Sequence, residues 1–130
     1  MTPGIMVLLL ISMMFAHIVD DYYLQGWLAS AKQKGWWEKN APDKLYKHDY
    51  IAALICHAFS WSVMITLPLI IYCKGDLGWF WLSLPINWTI HALVDNWKAN
   101  IRKINLITDQ LIHLGQIILT WLVFILIAVL

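Results

Sequence analysis

Apolar residues run almost unbroken through positions 5–18 and 117–130, and two further apolar stretches lie between them, interrupted only by isolated histidines, aspartates and prolines. Each stretch approaches the roughly 20 residues that a helix needs to cross a bilayer. The pattern predicts an all-α polytopic membrane protein with four transmembrane helices in a bundle, at about 4–32, 49–72, 78–98 and 104–130. Residues 1–130 read as a single transmembrane domain. Pro3 suits the first turn of a helix, and Pro68 and Pro85 mark kinks within the second and third. Gly35, Trp36, Trp37, Asn40 and Pro42 make 33–48 an interfacial basic loop with room for a short surface helix. Lys74, Gly75 and Asp76 read as the turn between the second and third helices, with Asp76 capping it.

Composition strengthens this reading. Hydrophobic residues make up 61% of the chain and charged residues 13%, a balance outside the soluble range, so lipid rather than water is the main solvent. The net charge of +1 hides an asymmetry: Lys32, Lys34, Lys39, Lys44, Lys47, Lys98, Arg102 and Lys103 lie in two connecting segments, and only Lys74 lies in the other. Basic loops stay on the cytoplasmic side. With four spans, both termini are then periplasmic or external. The first apolar stretch has no basic leader and no small-residue cleavage site, so it is expected to be retained. Cys56 and Cys73 sit in or beside an apolar run and read as buried thiols, too unevenly placed for a disulfide framework or a zinc pair. Among the nine tryptophans, Trp27, Trp36, Trp37 and Trp97 suit one interfacial belt and Trp79 and Trp81 the other. Trp61, Trp88 and Trp121 lie deeper and read as packing residues, although Trp61 shares the face of His57.

The polar residues inside the spans carry the chemistry. His17, Asp20 and Asp21 fall late in the first helix, His57 early in the second, His91 and Asp95 late in the third, and Asp109 and His113 early in the fourth. Because alternate helices run in opposite directions, all of them converge on the cytoplasmic half. His17 and Asp21, His91 and Asp95, and Asp109 and His113 are each four positions apart, which puts each pair on one helical face. Asp20 lies about 60° around the helix from His17 and is aimed less directly at the same centre. His48 is half a turn from His57 and reads as solvated or capping, with Asp49 at a helix start and Glu38 and Asp43 as loop charges.

Buried carboxylates need partners. Histidine nitrogen and aspartate oxygen suit a divalent metal, zinc or manganese first. His17, Asp21, His57, His91, Asp95, Asp109 and His113 are the candidate ligands, more than one zinc uses, and two nearby ions would employ them. A metal-bound water attacking a phosphate ester or phosphodiester is the leading chemistry. Asp20 is then a bridging carboxylate or proton acceptor, Asp21 a catalytic carboxylate, and Lys98 a phosphate contact. Lys32, Arg102 and Lys103 join Lys98 in a basic rim that attracts an anionic small molecule or a lipid headgroup. Two other readings use the same residues: a non-enzymatic membrane effector held together by a His/Asp network, and a proton or ion path. The almost wholly apolar outer halves of the first and fourth helices weigh against the path. No phosphate loop, nucleophile elbow or nucleic-acid motif is present, and the lipid-facing area leaves room for a homodimer.

The same residues carry a family resemblance. His17 through Gln25, with Asp21, Leu24 and then Lys32, resembles the His-x-x-x-Asp-aromatic-x-Leu-Gln signature of the DUF3307 family of small bacterial and phage membrane proteins. His91 to Asp95, followed by Lys98, resembles that family's second His-x-x-x-Asp element, and Asp109–Gln110 with His113 its Asp-Gln-x-x-His element. The resemblance covers roughly residues 5–120 and implies a bacterial inner-membrane protein. Where family members often carry two histidines close together in the second helix, this chain has Cys56 beside His57. The family itself implies no reaction.

Overall fold

The computed structural model describes residues 1–74 and 78–129. Among these, every regular element is helical: α1 (Pro3–Ile18), α2 (Leu28–Ala31), α3 (Lys34–Asn40), α4 (Asp49–Tyr72), α5 (Phe80–Asn96) and α6 (Leu106–Val129). Two π-helical segments, Val19–Leu24 and Trp97–Ile101, extend α1 and α5, and a 3-10 turn at Lys44–Tyr46 precedes α4. Part of the expected turn at 74–76 lies outside the described residues.

Among the described residues, three segments are long and apolar enough to cross a membrane: Pro3–Leu24, Lys44–Tyr72 and Leu106–Ala128. That is one fewer than the four spans expected from the sequence. The expected third span is α5, which with its π-helical extension runs from Phe80 to Ile101, as long as Pro3–Leu24, so polarity rather than length keeps it out of this group. Ser83, Asn87, His91 and Asp95 recur at every fourth position along α5 and are all buried, so its inward face is polar from end to end. The protein is an all-α bundle with three candidate spans, and an even span count no longer supports both termini on one side.

The first helix also differs from expectation, because it does not continue to residue 32. After the π-helical segment, Gly26 takes φ +49°, a left-handed conformation open to glycine at little steric cost. The chain turns there, and α2 packs against α4 with Ala31 fully buried. The surface helix expected within 33–48 is α3, whose Trp36 and Trp37 pack edge to face with Trp27. The two basic segments meet: the Lys34 amide donates to Asn100 Oδ1 at 2.7 Å, and Asn100 Nδ2 donates to the Lys32 carbonyl at 3.1 Å.

Packing divides the bundle lengthwise. At one end Leu9, Met13, Ile65, Leu69, Ile117 and Phe124 form an apolar core, and Trp61 joins it at the boundary with the polar end. The outer surface carries Leu8, Phe15, Ile71 and Leu126 in exposed positions, as a lipid-facing surface would. Cys56 is on that outer face and Cys73 is half-buried, so neither is the buried thiol expected from its apolar neighbours. An apolar run shows that a helix lies in lipid or core but does not decide which way one residue of it faces.

Candidate metal centre

Regular helical spacing builds the polar end. His57, Trp61, Ile65 and Leu69 form one buried stripe on α4, His91 and Asp95 continue the stripe of Ser83 and Asn87 on α5, and Asp109, His113, Ile117 and Thr120 form another on α6. At the end of α1 the helix loosens into its π-helical segment just where His17, Asp20 and Asp21 occur. Such π turns frequently occur at functional sites. Both adjacent aspartates reach His57 from opposite sides: Asp20 Oδ2 is 3.9 Å from Nδ1 and Asp21 Oδ1 is 3.3 Å from Nε2. Ser60 holds Asp20 by donating to Oδ1 at 2.6 Å.

Electron-pair donors crowd around His57 Nε2. His91 Nε2 is 3.2 Å away, Asp21 Oδ1 3.3 Å and Asp95 Oδ2 3.3 Å, while His91 Nε2 is 4.0 Å from Asp21 Oδ1 and 3.9 Å from Asp95 Oδ2. The two histidine nitrogens therefore form an edge shared by two triangles, one completed by each aspartate. A cation placed within either triangle would lie about 2 Å from all three atoms, the usual zinc-to-nitrogen or zinc-to-oxygen distance. Two residue groups have ligand atoms close enough to hold an ion: Asp21 with His57 and His91, and His91 with Asp95 and His113. A divalent metal fits this donor set.

Proton counting points the same way. A single N–H on His57 can serve only one of the acceptors around it. Asp21 Oδ1, Asp109 Oδ1 and both ring nitrogens of His113 are buried without a hydrogen-bond partner among the described residues, a costly condition for a metal-free interior. Trp61 Nε1 donates to His17 Nδ1 at 2.8 Å. Indole is a donor only, so this nitrogen is the acceptor and the His17 proton sits on Nε2, facing Gln110 Oε1 at 3.2 Å. Asp21 Oδ2 nevertheless lies 3.3 Å from that same His17 Nδ1. Two acceptors meet there, a contact that a proton or a cation between them would relieve.

Trp61 also stacks on His91, with ring centroids 4.1 Å apart, and His91 stacks in turn on His113 at 4.1 Å. The sandwich fixes the plane of His91 and shields it from lipid. Two lysines close the open side. Lys32 Nζ is 2.5 Å from Asp95 Oδ2; Lys98 Nζ is 2.5 Å from Asp109 Oδ2 and 3.5 Å from Asp95 Oδ1. Lys98 lies outside the three candidate spans. Burial disfavours its charge, but Asp95 and Asp109 more than offset this and raise its pKa above the ordinary lysine value. With the carboxylates and lysines ionised and the histidines neutral, as metal ligands are, Asp20, Asp21, Asp95 and Asp109 outnumber these two ammoniums by two charges. One divalent cation would balance that excess.

A cavity of about 350 Å³ opens onto the centre, lined in part by Asp21, Gln25, Lys32, Lys98 and Gln110. The family model described as a protein of unknown function, DUF3307, matches residues 9–129. The chain belongs to this family. No curated protein and no solved structure gave a match. For this DUF3307 member, then, geometry is the main guide to chemistry.

Of the residues singled out in the sequence, the structure gathers Asp21, His57, His91, Asp95 and His113 into the two ligand groups. His17 and Asp109 flank them, His17 held by Trp61 and Gln110 and Asp109 by Lys98. Asp20 faces the far nitrogen of His57, and Lys98 lines the cavity. The sequence pattern did not disclose the burial of Lys32, nor the roles of Ser60 and Gln110. Lys32 carried two signals, its place in the basic rim and its place after the His17 motif in the family resemblance. Its position at Asp95, however, depends on the turn at Gly26.

Proposed function

We propose that this DUF3307 protein is a membrane-embedded, metal-dependent hydrolase of a phosphate ester or phosphodiester, with its basic end toward the cytoplasm. The observation that carries the proposal is the orphaned Asp21 Oδ1, which joins two histidine nitrogens beside a cavity rimmed by Lys32 and Lys98. His57, His91 and Asp21 would hold the ion, three protein ligands that leave a position for water. One divalent ion, zinc or manganese, is favoured over two, because the two groups share His91 and the charge excess is two. When bound, the metal supplies a water of lowered pKa and a positive charge for the phosphoryl oxygens.

The protein groups divide the remaining work. In the displacement, the bond from phosphorus to the alcohol oxygen would break as a water oxygen replaces it, and the Asp21 carboxylate would accept one proton of that water and return it through cavity water to the departing alcohol oxygen, ending as it began. Lys98 and Lys32 attract the phosphate, while Asp20 orients His57 through its far nitrogen. Trp61 donates to the lone pair of His17 Nδ1 and so holds the His17 proton on Nε2.

A second reading, a metal-free network that holds an effector protein together, is favoured by one observation: Lys32 already neutralises Asp95. Elemental analysis of detergent-purified protein distinguishes the two. The hydrolase reading expects close to one zinc or manganese per chain, lost in Asp21→Asn, together with metal-dependent phosphate release from a chromogenic ester. Protein that stays metal-free after purification without chelator and after incubation with zinc or manganese overturns it in favour of the network.

A further inference from the structure

A second space borders the cavity at the polar end. A crevice of about 520 Å³ lies between the end of α1 and the start of α6, lined by His17, Ile18, Tyr22, Tyr23, Gln110 and Leu114. Tyr22 and Gln110 also line the cavity that holds Asp21, Lys32 and Lys98, so the two spaces share a wall. Both bordering helices belong to candidate membrane spans. The crevice therefore faces the hydrocarbon, and Ile18 and Tyr23 are exposed along it.

We propose that the α1/α6 crevice admits the acyl chain of an anionic phosphomonoester lipid from within the bilayer, with its headgroup in the cavity between Lys32 and Lys98. This deepens the hydrolase reading, on which the assignment of substrate class rests. Charge and polarity change in the order that such a molecule requires. Ile18, Tyr23 and Leu114 offer apolar contact at the lipid side. The Tyr22 and Gln110 side chains offer polar contact at the depth of the glycerol. Two ammoniums and a lone-pair-rich metal site follow at the far end. A lipid using this route keeps its chain in hydrocarbon throughout, whereas a soluble phosphate ester would leave the crevice unused. His17 lies on the crevice wall and is joined to Gln110, so a passing headgroup meets a hydrogen-bonding pair that can part and close behind it.

The test uses full-length protein carrying Cys56→Ser and Cys73→Ser, with a single thiol introduced by Leu114→Cys or, as a control on another lipid-facing part of α6, by Leu119→Cys. Each is reconstituted in phosphatidylcholine nanodiscs with and without dioleoyl phosphatidic acid, and alkylation by a membrane-permeant maleimide is timed. Phosphatidic acid is expected to slow labelling at position 114 on the order of fivefold, the factor for a ligand at about four times its Kd. Position 119 is expected to be unaffected, and Lys98→Met to abolish the protection. Equal change at both positions, or none at either, overturns the crevice assignment. Because this readout requires no turnover, it separates the two readings. Metal-dependent hydrolysis of a soluble ester without protection at 114 keeps the hydrolase and removes the lipid route. Protection at 114 in protein that takes up neither zinc nor manganese keeps lipid binding and removes the hydrolase.

Discussion

Replacing Lys32 by methionine tests the electrostatic account of the polar end. Lys32 Nζ lies 2.5 Å from Asp95 Oδ2, and the side chains are only 7% and 1% exposed, so water cannot replace the lost ammonium without opening the bundle. Methionine keeps most of the stem's packing, which isolates the charge. Removing one partner of a buried ion pair typically costs about 3–5 kcal/mol, because the other charge is left uncompensated. Asp95 still faces His57, His113 and Lys98 at 3.3–3.5 Å, which places the expected loss near the lower end, about 3 kcal/mol. Reversible denaturant unfolding in mixed micelles, followed by tryptophan fluorescence, measures it. Asp95→Asn in the same background should recover much of the loss, giving a favourable coupling energy in the double-mutant cycle of more than about 1 kcal/mol. Saturating zinc or manganese should stabilise Lys32→Met more than wild type, since a cation can then take the place of the ammonium on Asp95. A loss below about 1 kcal/mol, the size of an exposed pair, or a double variant no better than the single one, would refute the argument that Lys32 neutralises a buried carboxylate.

Three other outcomes follow from the same geometry. Trp61→Phe keeps the stack on His91 but removes the donor to His17, and should cost about 1–2 kcal/mol; ¹⁵N NMR of the imidazoles should show His17 no longer confined to its Nε2-protonated tautomer, and an unchanged tautomer would count against the assignment. Lys98, with its pKa raised by Asp95 and Asp109, contributes stability that is fully present below its ordinary pKa of 10.5 and lost as pH rises through the higher folded-state value. Unfolding measured across this alkaline range should show that loss in wild type and a flatter profile in Lys98→Met; identical profiles would contradict it. Gly26→Ala should destabilise by about 1–2 kcal/mol through φ +49° alone, since an added Cβ would meet nothing closer than the Leu24 carbonyl oxygen at 3.8 Å, and a neutral result would mean the turn relaxes.

Much of the site was legible in the sequence because α-helices convert spacing into geometry. Four-residue intervals put His91 with Asp95 and Asp109 with His113, and the alternation of polar ends placed all of them at one end of the bundle. Asp20, read as aimed less directly at the centre, lies outside both ligand groups and stands 3.9 Å from the far nitrogen of His57. In the π-helical segment both Asp20 and Asp21 reach His57. Span counting failed at α5, since a length read from Gly78 to Trp97 does not show that its polar positions share one buried face and leave it too polar to count as a span.

The sequence by itself therefore determined the helical class, the lipid environment of the longest apolar runs, and the gathering of histidines and aspartates at one depth. All three depend on local composition and period. Tertiary structure alone decided which carboxylate faces which ring nitrogen, that Trp61 sets the proton of His17, that Lys32 returns to neutralise Asp95, and that a crevice between α1 and α6 shares a wall with the cavity at the site. These depend on helix rotation, on one left-handed glycine and on contacts between residues distant in the chain, none of which leaves a periodic trace in the order of amino acids.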